Sequence, residues 1–152
     1  MGDTGDQATR RQGCRWVRCE GDDPHGPRWA SYGHDAKFRV IALTDATSTI
    51  SAYSNDVSYD VVYEEQLKNF LQPDDIVVAI SGSGNSENVI RALRFAASAG
   101  AHAVALTGRD GGKLGTVATL HINVPEEHMG RIEDVHLALC HMLAFSYIDT
   151  ES

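Results

Sequence analysis

Residues 76–86 read Ile-Val-Val-Ala-Ile-Ser-Gly-Ser-Gly-Asn-Ser. The run from Ile76 to Ile80 is apolar without interruption, which predicts a strand covered on both faces, since a strand with one wet face alternates apolar with polar residues. Ser81 to Ser86 breaks that pattern with two glycines and three serines. A helical period then takes over, with Val89, Ile90, Leu93 and the Phe95–Ala97 run on one face and Gly100 just beyond, predicting a helix over 86–99. Strand, glycine–serine loop and helix in immediate succession form the repeating unit of a parallel sheet covered by helices.

The same alternation extends in both directions. Downstream, 102–107 (HAVALT) predicts a strand, 108–118 (GRDGGKLGTVA) a glycine-rich turn with at most a short helix, and 120–124 a further strand. The last helix is predicted from Met129 to about Tyr147, with Ile132, Val135, Leu139, Met142 and Leu143 on its apolar stripe. Upstream, 38–44 (FRVIALT) reads as a buried strand. The stretch 47–55 reads as a short helix opened by a Thr/Ser cluster suited to capping, and 60–72 as a helix stopped by Pro73. The expectation is an α/β fold: four parallel strands joined by right-handed helical crossovers in a three-layer αβα sandwich. Residues 1–36 hold no Leu, Ile or Phe and are rich in Gly, Pro and Arg. They predict an irregular or divergent segment ahead of a single domain over 37–152.

A chain of 152 residues has room for one domain with a real core. With 42% apolar and 22% charged residues it has the composition of a globular protein. Thirteen basic against 21 acidic residues give a formal charge of -8, which disfavours nucleic acid as a direct partner while leaving room for small anions held by oriented N–H groups. Cys14, Cys19 and Cys140 make no disulfide framework and point to a reducing, cytoplasmic setting. No apolar run is long enough for a membrane span. The start of the chain, with Asp3 and Asp6, has no apolar core of a signal peptide.

Ligands of open parallel sheets sit beyond the carboxyl ends of the strands, which singles out Ser81–Ser86. Its glycines allow close backbone approach, its serines supply hydroxyl donors, and the following helix begins with N–H groups that lack intrahelical partners. These features suit a phosphate monoester. A Walker loop is excluded because Leu114 follows Lys113, and a dinucleotide fingerprint because Glu87 stands where glycine is required. The competing reading is a plain turn with Ser86 as a helix N-cap.

Four stretches together resemble one family. They are the I-S-x-S-G-N-S loop, the L-T-G-x-D-G-G-K turn at Leu106 to Lys113, R-I-E-D-x-H at Arg131 to His136, and ALTDATSTISAYSND ending at Asn55-Asp56. Over residues 37–148 the chain is similar to sugar isomerase (SIS) domains, and within them to the phosphoheptose isomerase branch. The resemblance implies a flavodoxin-like or Rossmann-like topology. It implies that Ser81, Gly82, Ser83 and Ser86 cradle a sugar phosphate, and that Asn55 and Asp56 lie against the sugar. Glu133 takes the place of a glutamine that contacts substrate and metal, and His141 that of a general acid and zinc ligand. The implied reaction converts sedoheptulose 7-phosphate to a heptose 7-phosphate through an enediol, in a cytoplasmic homo-oligomer, tetramer or dimer, with zinc as cofactor.

That reaction needs a base at carbon, an acid or metal at oxygen, and a grip on the remote phosphate. The grip and the acid have counterparts in this chain. The family's Gly-Asn-Gly-Gly-Ser loop, and its helix carrying a His and a Glu four residues apart, have none in residues 1–36. The expectation is an N-terminally incomplete domain arising from truncation, a reading-frame change or divergent replacement. The alternative function is an inactive phosphosugar-binding, regulatory or adaptor protein. Glu133 and His141 stand eight residues apart, about 12 Å along one helix, so one metal would need both side chains extended or donors from different subunits. His136 is expected to be structural or exposed.

Overall fold

In the computed structural model the described residues are 15–18 and 39–150, of which 15–18, 39 and 147–150 are described for backbone only. Five strands, β1 (Arg15–Arg18), β2 (Arg39–Ala42), β3 (Ile76–Ser81), β4 (His102–Gly108) and β5 (Leu120–Val124), form one sheet. The helices are α1 (Thr47–Asp56), α2 (Val62–Phe70), α3 (Glu87–Ser98) and α4 (Met129–Thr150). Every strand pair is parallel and the order is β2-β1-β3-β4-β5. The α/β sandwich is therefore as expected, with the flavodoxin-like order of a doubly wound sheet.

The strand count corrects the sequence reading. Arg15–Arg18, within the segment expected to be irregular, pairs with β2 on one side and β3 on the other, so the described residues form five strands and not four, while the rest of 1–36 lies outside the described residues. Arg-Trp-Val-Arg has too few apolar residues to stand out by pattern. Its position is set by the two ladders it completes, which satisfy backbone groups that an open edge would leave exposed.

Side chains along β3 and β4 alternate between two cores, as the pleat requires. Val77 and Ala79 of β3, with Ala103 and Ala105 of β4, face one layer built from Leu43, Val62, Leu67, Val89, Ile90 and Leu93. Val78, Ile80 and Leu106 face the other side, where Leu139 and Cys140 of α4 pack on them. The alanines on β4 let α3 lie close to the sheet.

Two helix ends show the local logic. Gly100 takes φ +84 and closes α3, with the Ala101 amide reaching back to the Ala96 carbonyl at 3.0 Å. At the start of α1 the predicted Thr/Ser cap does not form: the N-cap is Ala46 and no side chain caps the helix. A tight turn over Leu43–Asp45 feeds straight into α1 and buries Leu43, placing Thr47 and Ser48 already inside the helix.

Candidate functional site

The order β2-β1-β3-β4-β5 reverses direction between β1 and β3, and a crevice opens at such a point beyond the strand ends. The loop at the end of β3 is Ser81–Ser86. Gly84 takes φ +63 and donates its N–H to the Ser81 carbonyl at 2.9 Å, turning the chain back from the strand. Ser81 is buried, and its hydroxyl lies 3.3 Å from that of Ser86 across the loop. Ser83 Oγ accepts the Asn85 N–H at 3.2 Å, which leaves its own proton to donate.

Ser86 occupies the N-cap position of α3 but its side chain makes no capping bond. Ser86 is thus the N-cap by position, as the plain reading has it, but without the side-chain bond. The N–H groups of Glu87 and Asn88, at the start of a twelve-residue helix, take no capping bond from Ser86 and lie beside three serine hydroxyls, while the Val89 N–H is taken by Asn88 Oδ1 at 3.0 Å. A Cβ at 82 would meet the Met129 sulfur at the start of α4, a flexible side-chain end that would have to move aside.

A second loop, which the sequence reading left outside the candidate site, supports the first. The turn after β4 lies directly against Gly84, where any Cβ would run into the Gly111 carbonyl. Lys113 N–H donates to Asn85 Oδ1 at 3.2 Å, and Leu114 N–H to the Gly84 carbonyl at 2.9 Å. Behind this turn Gly111 and Gly115 pack on the imidazole of His121. His121 Nε2 lies 2.6 Å from Thr107 Oγ1, whose proton goes to Asn123 Oδ1 at 2.9 Å. Thr107 must then accept, so Nε2 carries the imidazole hydrogen. The signal for these residues was present in L-T-G-x-D-G-G-K, but only the tertiary contact reveals that its glycines allow one loop to dock on another.

The other predicted residues are spread out. Asn55 and Asp56 end α1 and are exposed, and among the described residues no hydrogen bond or ion pair ties them to the Ser81–Ser86 loop. Glu133 and His141 are both exposed on α4. Ile132 meets the strand ends at Gly82 and Gly108. His141 stands nine residues further along α4, about 13 Å by helical rise. His136, by contrast, is 3% exposed and bonded to the Thr107 carbonyl at 3.0 Å, a structural role as expected.

Glu133 and His141 are acceptable zinc donors by type. Among the described residues, however, no group of three or more His, Cys, Asp or Glu gathers to hold a metal ion. The pair does not make up a zinc site by itself. Near the start of α4, Glu126 accepts the His128 N–H at 3.0 Å and the Glu127 N–H at 2.8 Å, and pairs with Arg131 at 3.2 Å. The backbone bond from His128, with the Arg131 partner and the Glu127 N–H, holds this carboxyl below its ordinary range. Its carboxyl braces the chain just ahead of α4. No helix among the described residues is long and apolar enough to cross a membrane.

Comparison with known proteins matches residues 46–146 to the SIS domain. A probable phosphoheptose isomerase of Thermoplasma acidophilum is 44% identical over 115 residues, 73% of this chain and 63% of that protein. A phosphoheptose isomerase of Bordetella avium is 43% identical over 106 residues, 68% of this chain and 54% of that protein. The chain thus spans less than two thirds of the length of these relatives. Among solved structures, a phosphoheptose isomerase from Neisseria gonorrhoeae superposes with a TM-score of 0.74 at 32% identity, covering 87% of this chain and 75% of that one. One from Francisella tularensis gives 0.74 at 25% identity, covering 87% and 74%. The matched domain takes in more than half of the sequence, from α1 through most of α4, and the chain belongs to the SIS domain family.

Proposed function

We propose that this chain binds a phosphorylated sugar at Ser81–Ser86 and serves aldose–ketose isomerisation of the phosphoheptose isomerase type, taking sedoheptulose 7-phosphate to a heptose 7-phosphate. The observation that carries the reading is the loop itself, where three serines and a helix start that Ser86 does not cap converge at the switch point of the sheet. Relatives 43–44% identical to this chain over their matched lengths are named for this reaction.

In this reading Ser83 and Ser86 hydroxyls and the first N–H groups of α3 hold the phosphate, fixing the far end of the sugar while the carbonyl end reacts. Asn55 and Asp56 contact sugar hydroxyls. His141 gives and takes the proton at oxygen, a role for which imidazole has a suitable ordinary pKa. Its distance from the loop along α4 means that it serves the site of a neighbouring subunit. Zinc belongs to the proposal only with donors beyond Glu133 and His141, from a second subunit or from outside the described residues; when bound it would polarise the carbonyl oxygen.

The homo-oligomer, dimer or tetramer, is supported by α4, which leaves Val135, Leu137, Met142, Leu143 and Phe145 exposed. Such a face is costly to leave in water. A cytoplasmic location is proposed on the same footing as the reaction.

The deciding experiment is proton NMR of sedoheptulose 7-phosphate in D₂O with the purified protein and added zinc. Solvent deuterium entering the carbons beside the carbonyl, and lost in His141→Ala, supports isomerisation. Ligand lines that shift on titration without deuterium entry favour the alternative, a phosphosugar-binding or regulatory protein. No interaction of any kind overturns the phosphosugar reading.

A further inference from the structure

The side chain of Asn85 spans two loops. Its Oδ1 accepts the Lys113 N–H at 3.2 Å and its Nδ2 donates to the Ser83 carbonyl at 2.9 Å. The amide orientation is settled by chemistry, because a backbone N–H can only donate and a carbonyl can only accept. Ser83 is thereby held twice by the same residue: its hydroxyl takes the Asn85 N–H at 3.2 Å and its carbonyl takes the side-chain amide. The partner loop is stiff, since its glycines lie against Gly84 on one side and the His121 ring on the other. A Cβ at Gly112 would stand 2.6 Å from the Gly84 oxygen, and φ is +54 there, so the docking leaves no room for adjustment.

Resting on the phosphate-loop reading above, we propose that Asn85 is a positioning residue that holds Ser83 in ligand-ready geometry by pinning the loop to the Gly111–Leu114 turn. A serine on a free glycine loop samples many orientations, and binding must then order it at the expense of affinity. With Asn85 in place that ordering is already complete before the ligand arrives. Ligand and turn are therefore coupled: whatever the turn does for the ligand, the ligand does for the turn.

The test uses the full-length protein, isothermal titration with sedoheptulose 7-phosphate, and hydrogen exchange read at single amides. The expected result is that Asn85→Ala weakens binding by about tenfold, as loss of the two side-chain bonds implies, while the unfolding temperature without ligand moves by only a few degrees. In the wild type, ligand should slow exchange at the Lys113 and Leu114 amides, which belong to the turn and not to the serine cradle. Asn85→Ala with wild-type affinity, or with lowered stability and unchanged affinity, overturns the positioning role. Should Asn85→Ala fail to fold, the wild-type exchange decides alone, and unchanged Lys113 and Leu114 amides on ligand binding overturn the role. Absence of binding by the wild type is a different failure, since it removes the phosphate-loop reading on which the proposal stands.

Discussion

His136 Nε2 stands 3.0 Å from the carbonyl oxygen of Thr107, joining the middle of α4 to the end of β4 where both residues are almost fully buried. Since the carbonyl can only accept, Nε2 carries the hydrogen. His136→Ala removes the only side chain that satisfies this oxygen among the described residues and leaves a void beside Ile132. The expected loss is about 2–3 kcal/mol in urea unfolding, with His136→Gln recovering part of it through its amide donor.

Removing the hydroxyls of the proposed cradle tests the proposed ligand site directly. Ser83→Ala combined with Ser86→Ala should abolish the thermal stabilisation produced by sedoheptulose 7-phosphate. The unliganded protein should unfold near the wild-type temperature, because neither hydroxyl caps α3. An unchanged ligand shift would refute the assignment.

Close packing at the strand ends makes Gly108 sensitive. A Cβ there would meet the Gly82 carbonyl at 2.8 Å and the buried Ile132 side chain closer still. The first obstacle is backbone and cannot swing aside. Gly108→Ala should cost about 1–3 kcal/mol, measured by denaturant midpoint, although the alteration is a single methyl group.

Acid should weaken the contact between α2 and α3. Glu64 bonds Arg91 at 2.8 Å and Lys68 at 3.0 Å. Burial pushes its carboxyl up, but the bonds from Lys68 and Arg91 outweigh that and leave it below the ordinary glutamate value of 4.5. A carboxyl depressed in the folded state stabilises the protein above its unfolded pKa, and that contribution is lost as pH falls from about 4.5 through the folded value. The fall in unfolding temperature below that pH should be shallower in Glu64→Gln than in the wild type.

For the α4 face, Met142→Glu together with Phe145→Glu places two charges where the exposed apolar surface lies. Light scattering should show a smaller assembly than the wild type, with the helical signal retained. An unchanged mass would remove α4 from the proposed interface.

Much of the fold was legible because its period is strong. β5 begins and ends where the pattern of 120–124 placed it, and β3 and α3 differ from expectation by a residue or so at their ends. β1 was not legible: Arg15–Arg18 carries two arginines, and nothing local distinguishes it from its surroundings. At the candidate site, the loop carrying Ser81, Ser83 and Ser86 was readable from the strand–loop–helix context, whereas the bond of Asn85 to Lys113 and the packing of His121 on Gly111 and Gly115 were not, because each joins segments distant in sequence.

The order of apolar and polar residues alone determined that this chain alternates strands with helices, that its richest loop follows β3, and that this loop opens a helix. Those features depend on neighbours a few residues away, which the sequence displays directly. Tertiary structure alone decided that β1 fills the place between β2 and β3, that Gly84 rests on Gly111, that the Ser86 side chain makes no capping bond to α3, and that His136 is buried while Glu133 and His141 face outward. These depend on contacts between segments tens of residues apart, where the deciding quantity is whether two surfaces fit, and no local pattern of residues encodes that fit.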